Sequence, residues 1–178
     1  MRTHKPKHLK LLSPILATCG AIGFFAYGVI AMMSEDPLWF LGGVTMTDPE
    51  RIVIRVDGQE TVLTAGSPGY DLLVDASKEA LSKFNNLAPR SMGLREVTLT
   101  EYQLRGIILE LYFSEPVDFH LPFNDLQPTA LLIPIEGRHA GHGYVFRGKN
   151  NKWLTGQMCM SDPQPLFDAL STLGYIQQ

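Results

Sequence analysis

Cysteine is scarce in this chain: its 178 residues contain two, Cys19 and Cys159. Cys19 falls inside a long apolar run, so the pair cannot bridge within one chain, and no disulfide framework supports the rest. The short motifs of common chemistries are also absent. There is no P-loop, no G-x-G-x-x-G, no C-x-x-C and no interleaving of basic with aromatic residues. No cofactor is expected. No low-complexity tract and no repeat of 20–50 residues occurs, which excludes a solenoid.

Charge is missing over one long stretch. Leu11 to Met33 reads LLSPILATCGAIGFFAYGVIAMM, without a charged residue. As a helix it reaches about 34 Å, enough to cross a hydrocarbon core of about 30 Å. Pro14 is placed in the first turn, where a missing N–H costs least. Trp39 and Phe40 follow at interface distance.

Charge of opposite sign collects on either side. Arg2, Lys5, Lys7 and Lys10 precede the run, and all 18 acidic residues follow it, from Glu35 onward, against 11 basic ones. The part after the span is therefore net −7. An acidic domain gains nothing from phosphate counterion release, so nucleic acid is not an expected partner. The positive-inside rule places the cations in the cytoplasm. The expected organisation is a basic cytoplasmic tail (1–10), a transmembrane helix (11–33), a linker (34–50) and an extracytoplasmic domain (51–178). The expected partners are membrane lipid, through residues 11–33, and a membrane protein.

Three readings compete with an anchor. One is a signal peptide cleaved after Val29-Ile30-Ala31, although its apolar region is longer than a signal usually carries. Another is a lipoprotein, because Leu16-Ala17-Thr18-Cys19 is a degraded lipobox; Thr is a poor residue there. The third is a buried soluble helix, which a run this long and uncharged disfavours. Ser13, Ala17 and Ala21 recur every four residues, a spacing that lets membrane helices approach. No strict G-x-x-x-G accompanies them.

Beyond the span about 140 residues remain, enough for one domain with a real core. Asp36-Pro37, Gly42-Gly43 and Asp48-Pro49 signal turns. Arg51 to Asp57 alternates, with Ile52, Ile54 and Val56 on one face, which predicts a strand. Asp57-Gly58 predicts a tight hairpin, and Glu60 to Thr64 the return strand. Ser67-Pro68 predicts a helix start, Ser as cap and Pro at the first helical position. Leu72, Leu73, Ala76, Ala80, Leu81 and Phe84 carry helical spacing, ended by Asn85-Asn86 and Pro89.

Strands are expected at 97–100, 107–113, 117–121 and 130–135. Pro122, Pro128 and Pro134 restrict them to edges, ends or bulges. Residues 144–147 and 152–157 predict a hairpin across 148–151. A last helix is expected over 163–173, with Asp162 or Ser161 as cap and Gly174 as stop. The stretches 62–76 and 153–170 share "LT", a Ser, a Pro and a Leu-rich segment, each after a hairpin, which suggests a duplicated unit. The predicted fold is α+β: an antiparallel sheet with one or two helices packed on one face.

Candidate chemistry is thin. Glu136, His139 and His142 place one carboxylate and two imidazoles within seven residues, the donor types of a divalent metal site. The H-x-x-H spacing does not align two rings on a helix, so other ligands such as His120 or Cys159 would be required. The competing account is a solvated loop. Met158-Cys159-Met160 offers soft donors, but strand alternation puts the methionines on one face and Cys159 on the other, which favours packing. Glu110, inside an apolar strand, is expected on the exposed face; if buried it needs Arg95 or Arg105. Ser67 lacks the first glycine of a nucleophile elbow, since Ala65 stands there.

Two functions fit these residues. The first is a non-catalytic, membrane-anchored interaction domain or accessory subunit of a membrane complex. The alternative is an extracytoplasmic ligand- or metal-binding sensor domain using the 136–143 loop.

Overall fold

The computed structural model describes residues 8–41, 43–86, 94–121 and 126–177. The cations Arg2, Lys5 and Lys7, the first glycine of Gly42-Gly43, and Pro89 and Pro122 lie outside these. A helix, α1 (His8–Ser34), leads into β1 (Arg51–Val56), β2 (Gln59–Leu63), α2 (Tyr70–Ala80), β3 (Phe84–Asn86) and α3 (Glu96–Leu104). There follow β4 (Ile107–Tyr112), β5 (Ala130–Glu136), β6 (Tyr144–Lys149), β7 (Lys152–Met160) and α4 (Gln164–Thr172). The seven strands form one antiparallel sheet in the order β2-β1-β4-β5-β6-β7-β3. The α+β class is as expected.

Within α1 the segment Ser13–Ser34 is long and apolar enough to cross a membrane, and its most apolar stretch has no buried residue. The helix starts earlier than the uncharged run, so Pro14 lies inside it rather than in its first turn.

The Asp57-Gly58 hairpin forms as read, and the second hairpin turns more tightly than the expected 148–151 connection, with Gly148 and Lys149 in β6; the central residues of both turns tolerate positive φ. Asp57 and Gly58 sit at 47° and 84°, and Asn150 and Asn151 at 52° and 61°. Alternation along β1 sends Ile52 and Ile54 into the main core. There they meet Leu109, Leu111, Leu131, Ile133 and Val145 from the central strands, under Leu73, Val74, Leu166 and Leu170 of α2 and α4. The two hairpin-then-helix units, β1-β2-α2 and β6-β7-α4, thus place their helices side by side on one face of the sheet.

The opposite face is not left to solvent. Ile108, Leu132 and Phe146 point there and are capped by Tyr102 of α3. A helix therefore covers each face, whereas one covered face was expected. This corrects the 97–100 strand: Val97 to Thr100 is helical, and its buried residues are Thr98 and Tyr102, four apart. The β-branched residues favour a strand locally, and the apolar patch on the sheet overrides them.

Four other local expectations change. Gly69, not Ser67, precedes α2, and the Ser67 hydroxyl instead accepts the Thr64 N–H at 3.1 Å, closing the turn before the helix. The helix stops at Ala80, and Phe84 to Asn86 pair with β7 as an edge strand. Residues 117–121 form no ladder; one isolated bridge joins Asp118 to Thr45, and Val117, Phe119 and Leu121 are buried in the main core. Gln164, the first residue of α4, gives its N–H to the Asp162 carboxylate at 2.9 Å, while Pro163 occupies the cap. Pro134 lies in a central strand, at a register shift opposite Ile107 and Ile108 and beyond the last β5–β6 pair, where no ladder N–H is needed.

Candidate functional site

The segment 34–50 does more than connect. The Ser34 hydroxyl ends α1 by donating to the Ile30 carbonyl at 2.9 Å, and Glu35 turns the chain at φ 58°. Asp36 then uses both carboxylate oxygens. One accepts the Leu38 N–H at 2.7 Å, and the other accepts His120 Nδ1–H at 2.9 Å. The far ring nitrogen of His120 meets the Thr45 hydroxyl at 2.9 Å. Asp118 approaches the same Nδ1 at 3.6 Å and takes the His120 backbone N–H at 2.9 Å. Thr45 and Asp118 also exchange backbone hydrogen bonds of 2.8 and 2.9 Å. Above this, Tyr27 donates to the Pro37 carbonyl at 2.9 Å and meets Phe40 edge-on. The result is a clamp that holds the exit of α1 against the domain.

Asp36, Asp118 and His120 hold their ligand atoms within 4.8 Å of one another, the one such trio among the described residues. A divalent ion there would have to displace the proton His120 shares with Asp36, and each oxygen of Asp36 already has a donor. The geometry serves the clamp without an ion. Exchanging His120 for Ala strands a mostly buried carboxylate and a hydroxyl. The expected loss is about 1–3 kcal/mol, read as a lower Tm of the full chain in detergent. An unchanged Tm would show that the clamp carries no stability.

The 136–143 loop does not gather Glu136, His139 and His142 into a ligand group among the described residues; its two imidazoles pack beside Tyr144. Glu136 is exposed at the end of β5. His139, at φ 68°, sets Nδ1 2.7 Å from the Tyr102 hydroxyl, which donates to the Arg138 carbonyl. His142 stacks on Tyr144 with ring centroids 5.0 Å apart. Burial first, then Arg138, lowers the His139 pKa, so His139 resists protonation. The native state therefore loses stability as pH falls below the ordinary histidine value, where the unfolded chain binds a proton the folded one declines. Cys159 points away from Met158 and Met160, which lie in the core, as alternation requires.

Glu110 is buried, not exposed, because both faces of the sheet are covered. Its partners are neither Arg95 nor Arg105. Tyr112 donates to it at 2.8 Å, and Arg55 of the adjacent strand lies 3.7 Å away while pairing with Glu60 at 2.7 Å. Arg51 sits over the Tyr112 ring at 4.1 Å. Burial, then the Glu110 charge, pushes the Tyr112 pKa up to about 12, so Tyr112 remains a donor. Next to it Ala130 and Gly148 floor a slot of about 370 Å³ between Tyr112 and Trp153. Trp153 lies flat on Gly148, where a Cβ would stand 2.8 Å from the ring. Ser67 has no histidine among its hydrogen-bond partners; its oxygen is engaged by Thr64.

Of the clamp residues the sequence singles out His120, as a further ligand for the 136–143 loop and not as a partner of Asp36. Asp36 reads locally as a turn residue, and its partner lies 84 positions away. No spacing rule reaches that far.

Comparison with protein-family models, with curated proteins and with solved structures finds no match to this chain.

Proposed function

We propose that the chain is a single-pass membrane protein whose extracytoplasmic α+β domain acts without catalysis, as an interaction module or accessory subunit of a membrane complex. One observation carries this reading. Large apolar side chains of α1 stand exposed among the described residues: Phe24, Phe25 and Met32 are 78%, 74% and 82% exposed. A surface of that size in water opposes solubility, and lipid is the natural cover. The charge step, four cations before the span and a net −7 after it, supports the orientation.

The clamp adds to this. An interaction domain gains from a fixed pose above the bilayer, because a rigid stem removes ordering cost when a partner docks. Solubilisation in mild detergent, followed by crosslinking and purification of the full chain, is expected to recover a defined membrane-protein partner. Recovery of a lone monomer in several detergents would count against the reading.

A further inference from the structure

An acidic domain tethered beside a bilayer is repelled by anionic lipid, unless the surface it presents carries the opposite charge. The distribution of charge in the second half of the chain is therefore informative. From residue 137 to 161 there are four cations, Arg138, Arg147, Lys149 and Lys152, and no carboxylate. Two of them, Lys149 and Lys152, flank the Asn150-Asn151 turn at the tip of the β6–β7 hairpin.

That tip lies at the exit of the span. Glu35, the residue after α1, lines one cleft together with Leu126, Lys149, Lys152 and Leu154. Lys149 donates to the Leu126 carbonyl at 3.0 Å, and Lys152 is exposed. Among the described residues that line the cleft, two lysines stand against one carboxylate, Glu35. Exposed Leu38, Phe40 and Leu41 stand on the same exit segment, with Phe40 packed back against Tyr27 of the helix. Exposed apolar side chains on the exit segment, beside two lysines, match the chemistry of an anionic lipid surface.

We propose that the tip of the β6–β7 hairpin rests on the bilayer and that Lys149 and Lys152 bind anionic phospholipid headgroups, which sets the pose of the domain. This rests on α1 being a membrane anchor. Each lysine near such a surface shifts the docked population roughly fivefold.

Trp153 borders the same hairpin end and reports on it directly. The full chain carrying Trp39→Phe, so that Trp153 is the remaining tryptophan, is placed in nanodiscs of phosphatidylcholine or of an equal mixture with phosphatidylglycerol. Acrylamide quenching of Trp153 is expected to fall by about half in the anionic discs. Adding Lys149→Gln and Lys152→Gln should remove the difference. Salt of about 1 M should remove it too, with no substitution, because screening then acts within about 3 Å.

Equal quenching in both lipids overturns the proposal. So does a difference that survives both lysine substitutions, since another surface would then hold the lipid. A chain that does not co-elute with discs of either lipid overturns the anchor itself, and that result is distinct from equal quenching in discs that carry the protein.

Discussion

Full-length protein carrying Phe24→Arg and Phe25→Arg is expected to leave the membrane fraction. Both positions lie near the middle of Ser13–Ser34 and are exposed on the helix surface. An arginine at the centre of a spanning helix costs about 2.5–3.5 kcal/mol on the insertion scale, so two cost roughly 5–7 kcal/mol. Neighbouring positions on a helix point about 100° apart, so the two guanidinium groups cannot share one route to the interface. The measurement is alkaline extraction followed by flotation. The natural sequence should stay in the pellet and float, and the double variant should do neither. If the natural sequence is itself released by alkali, the span is not an anchor, and a cleaved signal becomes the better account of residues 11–33.

The second large effect is expected at Gly106, between α3 and β4. Its φ is 79°, a conformation L-residues avoid, and a Cβ there would lie 2.5 Å from the Glu136 carbonyl oxygen. Both neighbours are fixed. Gly106 receives two contacts from Asp57: its N–H donates to the carboxylate at 2.9 Å, and its carbonyl accepts the Asp57 N–H at 3.0 Å. Glu136 closes the last pair of β5 with β4. Gly106→Ala therefore combines backbone strain with a clash against backbone that cannot yield. A loss of about 3–5 kcal/mol is expected, at the upper end of single substitutions.

Gly66→Ala is the control. Its φ is similar, 88°, but no atom lies within 4 Å of the added Cβ. Strain alone predicts a loss of about 1–2 kcal/mol there. Chemical denaturation of both full-length variants in the same detergent gives the comparison. Equal losses at the two sites would show that the contact with Glu136 is not the cause.

How far the fold could be read from residues differed by element. The β1–β2 and β6–β7 hairpins were legible because everything that makes them is local. Asp57-Gly58 and Asn150-Asn151 supply the φ values, and alternation supplies the register. The long apolar helix was legible for the same reason, since an uncharged run needs no neighbour to identify it. Phe84 and Val97 were read with the wrong period. Phe84 joins an edge strand because β7 offers it an open ladder and Phe119 offers it a ring. Val97 joins a helix because Tyr102, five residues on, fills a hollow over Ile108, Leu132 and Phe146.

The candidate site was less legible than the fold. Glu136, His139 and His142 are close in sequence, yet His139 bonds Tyr102, both imidazoles border the Tyr144 ring, and the three form no ligand group among the described residues. Asp36, Thr45, Asp118 and His120 are far apart in sequence, yet they form the tightest polar cluster near the span. Glu110 shows the same limit in one residue. Its strand was identified correctly, but its burial comes with Tyr112 and with Arg55 of the neighbouring strand, and that is a tertiary fact.

By itself the sequence determined the uncharged run, the charge step across it, the Asp57-Gly58 turn and the place of the second hairpin, because hydrophobicity, charge and the φ tolerance of Gly and Asn act within a few residues. The tertiary structure alone decided that both sheet faces are covered and that the exit of the span is clamped to His120. It also decided that the two hairpin lysines stand beside that exit. Those outcomes depend on which distant surfaces meet, and no local preference encodes that.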